Sequence, residues 1–302
     1  MAIRIWKSEE YHSFWQQSHL SYLDRVERRL LRSLIEEGEW FIDIGGGYGR
    51  LMDIYKNRYS NCVITDYSMS MLQDSNRYLI RNGINNVCLV AADVHYLPFI
   101  NGVFDSAMMV RLIHHIENPA PVLHEVHRIL KPSGSLIFEF QNKRNMNFRI
   151  KARLGLMNRK RIESLDPFEA GPLYWNFHPK AMERLLSDNF RQESILGGGL
   201  FWNRKLLTSL LPKLDVLESW FAPFLGRNTL THQLFLKLQA NKDGKDSASG
   251  SKLRPALTTI LKCLRCGQGT LERRENHLTC TCCDHIYNIQ ENIYDFRLEG
   301  NA

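Results

Sequence analysis

The chain has 302 residues, 44% of them hydrophobic and 24% charged, with a formal net charge of +7. That composition excludes wholesale disorder and leaves room for one full-sized domain plus a smaller one. The opening MAIRIWKSEEYHSFWQQSH lacks the apolar run of a secretory signal, and no stretch is long and apolar enough to span a bilayer, so a soluble, cytoplasmic protein is expected.

Residues 1–37 read as a helical lid. Leu20, Leu23, Val26, Leu30, Leu31 and Leu34 recur at three- and four-residue steps, with Arg25, Arg28, Arg29 and Arg32 between them. Trp40–Ile44 is a short strand running into a glycine cluster, and Leu51–Asn57 suits a helix. Cys62–Thr65 makes a second strand that ends in Asp66, and Ser68 caps a helix closed by Asn82-Gly83. Val87–Ala91 and Phe104–Val110 are the third and fourth strands. Asn118-Pro119 supplies a cap and a first helical residue, and the chain turns at Lys131-Pro132-Ser133-Gly134 into a fifth strand, Leu136–Phe140. His178-Pro179 opens another helix ending near Asn189, and Leu234–Leu238 is a late strand. Strands spaced by helices in this way imply crossover units. The expected fold is α/β, a doubly wound Rossmann-like sheet with helices on both faces.

Two further segments stand apart in composition. From Gln141 to Ile162 there are eight basic residues and no acid, a block suited to nucleic acid, an anionic membrane surface, an acidic small molecule or simply water. Residues 241–256 are polar and rich in glycine and serine, as a linker is.

The central motif is Asp43-Ile44-Gly45-Gly46-Gly47-Tyr48-Gly49-Arg50. Glycines after a buried strand let the backbone turn tightly and approach a ligand, and the backbone that follows offers N–H donors. The dinucleotide fingerprint fits poorly, because Arg50 stands at its sixth position from Gly45. Residues 38–140 instead resemble the class I S-adenosylmethionine-dependent methyltransferases of type 11, the branch containing quinone-biosynthesis enzymes. FIDIGGGYGRL, VITDYSMSML and AADVHYLPF resemble their first three motifs, and FDSAMMVRLIHHIENP and LHEVHRILKPSGSLIFEF their fourth and fifth strand regions. Ser133 departs from the family's usual glycine at that turn.

The resemblance implies that S-adenosylmethionine is the cofactor and that its site comprises Asp43, Gly45, Gly46, Gly47, Asp66, Tyr67, Asp93, Val94 and Arg111. Asp66 would accept hydrogen bonds from both ribose hydroxyls. Asp93 would lie near the adenine amino group, and Val94 would offer its backbone nitrogen. Gly45 and Gly47 would leave room for the methionine moiety, with Asp43 ordering the loop or meeting the cofactor's amino group. Arg111 would meet a carboxylate of cofactor or substrate, or pair with a nearby acid. The catalytic candidates are His114 and His115, at the sheet edge where such enzymes work, either as proton acceptors or as packing residues. The acceptor pocket would draw on Tyr11, Phe14, Trp15, Tyr174, Trp175 and Phe177, from the N-terminal helix and an insert at 141–177.

Cys62 and Cys88 sit singly in strand-like sequence, whereas five cysteines crowd between Cys263 and Cys283. Cys263, Cys266, Cys280 and Cys283 form two C-x-x-C pairs thirteen residues apart, the spacing of a closed tetrahedral zinc site. Cys282 is the spare by spacing, with His277 and His285 as possible substitutes. The predicted ribbon, 257–299, also resembles small zinc proteins that accompany or activate RNA and protein methyltransferases. It would follow a methyltransferase domain at 38–240.

Three functions are compatible with these features. The leading one is methyl transfer to a small-molecule or lipid-like acceptor, with peripheral membrane contact through 141–162. The second is methylation of rRNA or tRNA through the basic insert and the ribbon, although no asparagine-proline-proline-aromatic signature is present. The third is a non-catalytic protein that keeps the cofactor fold.

Overall fold

A computed structural model describes residues 18–201, 213–242 and 256–297, together with Glu9, Ser13, Trp15, Thr208, Leu211 and Gly244. Tyr11, Phe14 and most of the linker lie outside the described residues. Helix α1 (Ser18–Leu34) buries Val26, Leu30, Leu31 and Leu34 on one side, with Arg25, Arg29 and Arg32 exposed and Arg28 half-buried. Strands β1 (Gly38–Ile44), β2 (Tyr59–Asp66) and β3 (Val87–Ala91) follow, with α2 (Met69–Arg81) crossing between the second and third. Then come β4 (Phe104–Met109), α3 (Ala120–Ile129) and β5 (Leu130–Gln141).

β1 pairs in parallel with β2 on one side and β4 on the other; β3 extends the sheet beyond β2, and β5 extends it beyond β4. The strand order therefore reverses between β1 and β4. In open α/β sheets the carboxyl ends at that switch point form the ligand crevice. The far edge is closed by β8 (Phe190–Gly198) and β9 (Gln233–Ala240), with β9 antiparallel to both β5 and β8. The intervening segment carries α4 (Met146–Arg153), α5 (Arg159–Glu163), a hairpin of β6 (Phe168–Gly171) and β7 (Tyr174–Asn176), and α6 (Pro179–Ser187). Helix α7 (Leu214–Arg227) packs on β8 so closely that a Cβ on Gly226 would lie 2.8 Å from the Leu196 carbonyl carbon.

Two expectations are revised. Leu51–Asn57 holds only a 3-10 turn at Met52–Ile54. Seven residues are too few to offset the cost of nucleating an α-helix. Ser68 occupies the N-cap position of α2, but its side chain makes no capping bond; its N–H instead donates to Asp66 Oδ1 at 2.8 Å.

The cysteine-rich segment folds as a meander of β10 (Leu271–Arg273), β11 (His277–Cys280), β12 (Ile286–Gln290) and β13 (Ile293–Asp295). It continues the central sheet. β13 lies parallel to β3, with Ile293, Tyr294 and Asp295 opposite Leu89, Val90 and Ala91. Backbone bonds from Ile100 N to Ile260 O and from Lys262 N to Pro98 O, each 2.9 Å, fasten the entry to the segment. Leu261, Leu271, Leu278, Tyr287 and Phe296 join the same apolar core as Val90, Phe99 and Phe104.

Candidate active site

The chain leaves β1 through backbone that favours glycine, with φ of +71° at Gly45 and +54° at Gly47. A Cβ on Gly47 would stand 2.6 Å from Met71 Cε, and one on Gly45 2.9 Å from Leu112 Cδ2. The turn thus has no room for side chains, and its own N–H groups fix it in place: Gly45 and Gly46 donate to the Thr65 carbonyl at 2.8 and 3.2 Å. Asp43, buried at the end of β1, accepts a hydrogen bond from the Tyr55 hydroxyl at 3.0 Å. Burial raises its pKa to about 7, against the pull of Tyr55 and Arg50.

Asp66, at the end of β2, accepts from Gly47 N at 3.0 Å and from Ser68 N at 2.8 Å. It therefore ties the glycine turn to the start of α2. Burial raises its pKa to about 6, partly offset by the backbone donors. Asp93 behaves oppositely. Burial would raise it, but His95, whose N–H donates at 2.9 Å and whose Nδ1 lies 2.7 Å away, holds it below the usual carboxylate range.

All nine predicted cofactor residues, Asp43, Gly45, Gly46, Gly47, Asp66, Tyr67, Asp93, Val94 and Arg111, line one cleft of about 990 Å³ that opens to solvent. Arg50, Leu51, Met71, Leu112 and His115 are among the other residues of its wall. His114 does not reach the cleft wall and packs behind it. Both histidines lie in a buried 3-10 turn after β4. The His114 ring sits 4.5 Å from Tyr174, and His115 Nδ1 lies 3.0 Å from the Leu173 carbonyl.

Arg111 has an acid for a partner within the chain. Its Nε donates to Glu27 Oε2 at 2.8 Å, and its backbone N–H donates to Glu139 Oε2 at 2.9 Å, from a φ of +59°. Arg50 also holds Glu27 and, in addition, Asp24. Glu27 is wholly buried, which alone would raise its pKa, but the two guanidiniums hold it below the usual range. Trp15 covers the pair, with the Arg50 and Arg111 guanidinium carbons 3.9 and 4.6 Å from its ring centre. An acid partner for Arg111 was one of the two expectations, but nothing in the sequence identified that acid as Glu27 or showed that Arg50 shares it. Behind it, Glu139 is buried and raised to about 7, with Gln141 Nε2 and Gln233 Nε2 donating at 2.9 and 3.2 Å. His232 is pushed down to about 4 by burial and by Arg111.

Of the expected acceptor-pocket aromatics, Tyr174 faces the histidines and Trp15 the arginines, while Phe177 lies in the core and Trp175 packs against it. The basic insert also divides. Lys143 is fully buried, its Nζ donating to Ser164 Oγ and the Asp166 carbonyl, and burial lowers its pKa. Lys151, Arg153, Arg159, Lys160 and Arg161 remain exposed.

In the ribbon, the sulfurs of Cys263, Cys266, Cys280 and Cys283 all lie within 4.8 Å of one another. Two of the separations, Cys263 to Cys283 and Cys266 to Cys280, are 3.7 Å. Zn–S bonds of about 2.3 Å at tetrahedral angles place sulfurs about 3.8 Å apart, so the set fits zinc. Cys282 is exposed and outside the group, and His285 turns toward Arg265 and Tyr287.

Comparison with known proteins agrees with this geometry. The family described as a methyltransferase domain matches residues 42–138. A ubiquinone/menaquinone biosynthesis C-methyltransferase from Blochmanniella pennsylvanica is 32% identical over 112 residues, 36% of this chain and 44% of that protein. An uncharacterised protein from Methanocaldococcus jannaschii is 32% identical over 131 residues, covering 43% of this chain and 48% of its own. The chain thus spans about half, or less, of the length of these relatives. A SAM-dependent methyltransferase from Aquifex aeolicus shares the fold at 14% identity, with a TM-score of 0.50 over 79% of this chain and all of that one. No helix among the described residues is long and apolar enough to cross a membrane. The sheet, the cleft at its switch point and the matched family agree: residues 42–138 match a methyltransferase domain, and the cleft lies within that matched segment and the turns that follow its strands.

Proposed function

We propose that the chain transfers the methyl group of S-adenosylmethionine to a small-molecule or lipid-like acceptor. The observation that carries this reading is the convergence of a side-chain-free glycine turn, Asp66 and Asp93 on one cleft. The cofactor, when bound, supplies a methyl group already activated by its sulfonium. What remains for the protein is alignment of the reactants and, for some acceptors, removal of a proton. Gly45 and Gly47 leave the methionine end room against bare backbone, Asp66 is suited to the ribose diol, and Asp93 with Val94 to the adenine edge. The names of the quinone-biosynthesis relatives support a lipid-like acceptor over RNA.

His115 is the group we assign to any proton removal. It stands on the cleft wall, and donation from Nδ1–H to the Leu173 carbonyl would leave the basic lone pair on Nε2. Replacing it with Asn should reduce turnover by about 10²- to 10⁴-fold while leaving cofactor affinity unchanged. Equal turnover in the variant removes the base role. The four cysteines would hold one structural zinc, a closed set with no open position for chemistry.

The reading is tested by calorimetry with S-adenosylmethionine, followed by labelled-cofactor screening of cell extracts. Folded wild-type protein that binds no cofactor defeats the proposal. Label transferred to an extractable small molecule supports it, and label confined to RNA replaces the acceptor class.

A further inference from the structure

Helix α7 packs inward through Leu214, Ala222 and Leu225, yet it also buries acids and exposes aromatic side chains. Its inward face carries Asp215 and Glu218, both buried. Asp215 accepts from Arg29 Nε at 2.7 Å and from Arg25 Nε at 3.4 Å, and Glu218 accepts from Leu200 N at 2.9 Å. Its outward face carries Leu217, Trp220, Phe221 and Phe224, spaced as one helical stripe, and all four are exposed, Trp220 by 77%. A contiguous aromatic stripe of this kind marks a surface that something else covers.

Helix α4 abuts the end of α7. Met146 N donates to Leu230 O at 2.8 Å, and the Arg149 guanidinium reaches the carbonyls of Asn228 and Thr229. The apolar exposure continues along it at Ile150 and Leu154, and then at Leu156, which is 73% exposed. Among these side chains stand the exposed cations Lys151, Arg153, Arg159 and Lys160. No acid lies between residues 141 and 162, and the next one, Glu163, is engaged by Arg144 at 3.4 Å. Asp166 and Glu169 are the exposed acids beyond it. Aromatic and aliphatic side chains bordered by cations are what interfacial helices present to anionic lipid, where rings enter the acyl boundary and ammonium and guanidinium groups meet phosphates.

We propose that α7 and the basic insert form one docking surface for an anionic lipid bilayer. This goes beyond methyl transfer and does not depend on it. The test is sedimentation of the full chain with vesicles of phosphatidylcholine alone and of phosphatidylcholine mixed with phosphatidylserine. The expected result is association with the anionic vesicles that weakens as salt rises. The double variant Trp220→Ser/Phe224→Ser should cut partitioning by at least about tenfold with thermal unfolding unchanged. Should that variant prove unstable, Leu156→Ser, on the turn after α4, reads the same surface. Arg153→Gln/Lys160→Gln should narrow the difference between the two vesicle types. Failure of wild type to bind either vesicle overturns the proposal, as does binding indifferent to all these variants. A concentration-dependent dimer lost in Trp220→Ser/Phe224→Ser, without vesicle binding, assigns the face to a second copy and overturns it too.

Discussion

Asp66 faces two demands that set its pH behaviour. In the proposed ribose role it would stay ionised, accepting from Gly47 and Ser68 while offering its remaining lone pairs to a diol, yet burial raises its pKa to about 6. Cofactor affinity should therefore fall as pH drops through about 6, and Asp66→Asn should bind weakly with a flattened profile. Calorimetry between acid and neutral pH measures both, and an Asn variant with wild-type affinity would contradict the ribose role. Asp43 carries a different consequence, for stability. Its pKa in the fold, about 7, exceeds the ordinary 3.8, so the native state holds a proton that the unfolded chain releases. Stability is lost as pH rises from 3.8 towards 7, and above 7 the burial penalty is complete. Asp43→Asn, which keeps an acceptor for Tyr55, should raise the unfolding temperature of the ligand-free protein in mildly alkaline buffer and change little in acid. Equal shifts at both ends would refute the burial account. The carboxylates at strand ends were legible in the sequence because alternation of strand and crossover places them by local spacing. Their opposite pKa shifts were not, since the burial that raises Asp43 and Asp66 and the ring orientation by which His95 lowers Asp93 are set by the folded structure.

At the scale of elements, α1 is more than a cover. It delivers Glu27 between Arg50, on the glycine loop, and Arg111, after β4. Removing one member of a buried ion group leaves uncompensated charge, which costs about 3–5 kcal/mol. Glu27→Ala should lose about that much stability, while Trp15→Ala, which removes only the stacked ring, should lose less. Denaturant unfolding of the two variants distinguishes them, and a neutral Glu27→Ala would mean that α1 is not anchored by this clamp. The helical period of α1 was readable, as was its arginine face. The pairing of Glu27 with Arg111 was not, because 84 residues separate them. α7 escaped the sequence reading for another reason: with its aromatic stripe outward and its acids inward, periodicity gives no cue to which side meets the core.

At the scale of the whole molecule, the cysteine segment adds strands to the central sheet. β13 covers the edge of β3, and Phe296 N donates to Ala91 O at 2.8 Å, beside the strand end that leads to Asp93. Zinc in the cysteine cluster should then support the large domain as well as the ribbon. Metal analysis should find about one zinc per chain. Its chelation should lower the unfolding temperature and speed hydrogen exchange at Leu89–Ala91. Unchanged protection of those amides would show that β3 holds its place without the ribbon. The sequence alone determined what short-range chemistry determines: glycines where the backbone must turn against a ligand, acids at strand ends, and thiols spaced to share one ion. Only the tertiary structure decided which charges meet, that Lys143 is buried while Lys151, Arg153 and Arg159 to Arg161 are exposed, and that the ribbon lies on the edge of β3. Those outcomes depend on contacts between segments far apart in the chain, and the energy of such contacts leaves no mark on local residue spacing.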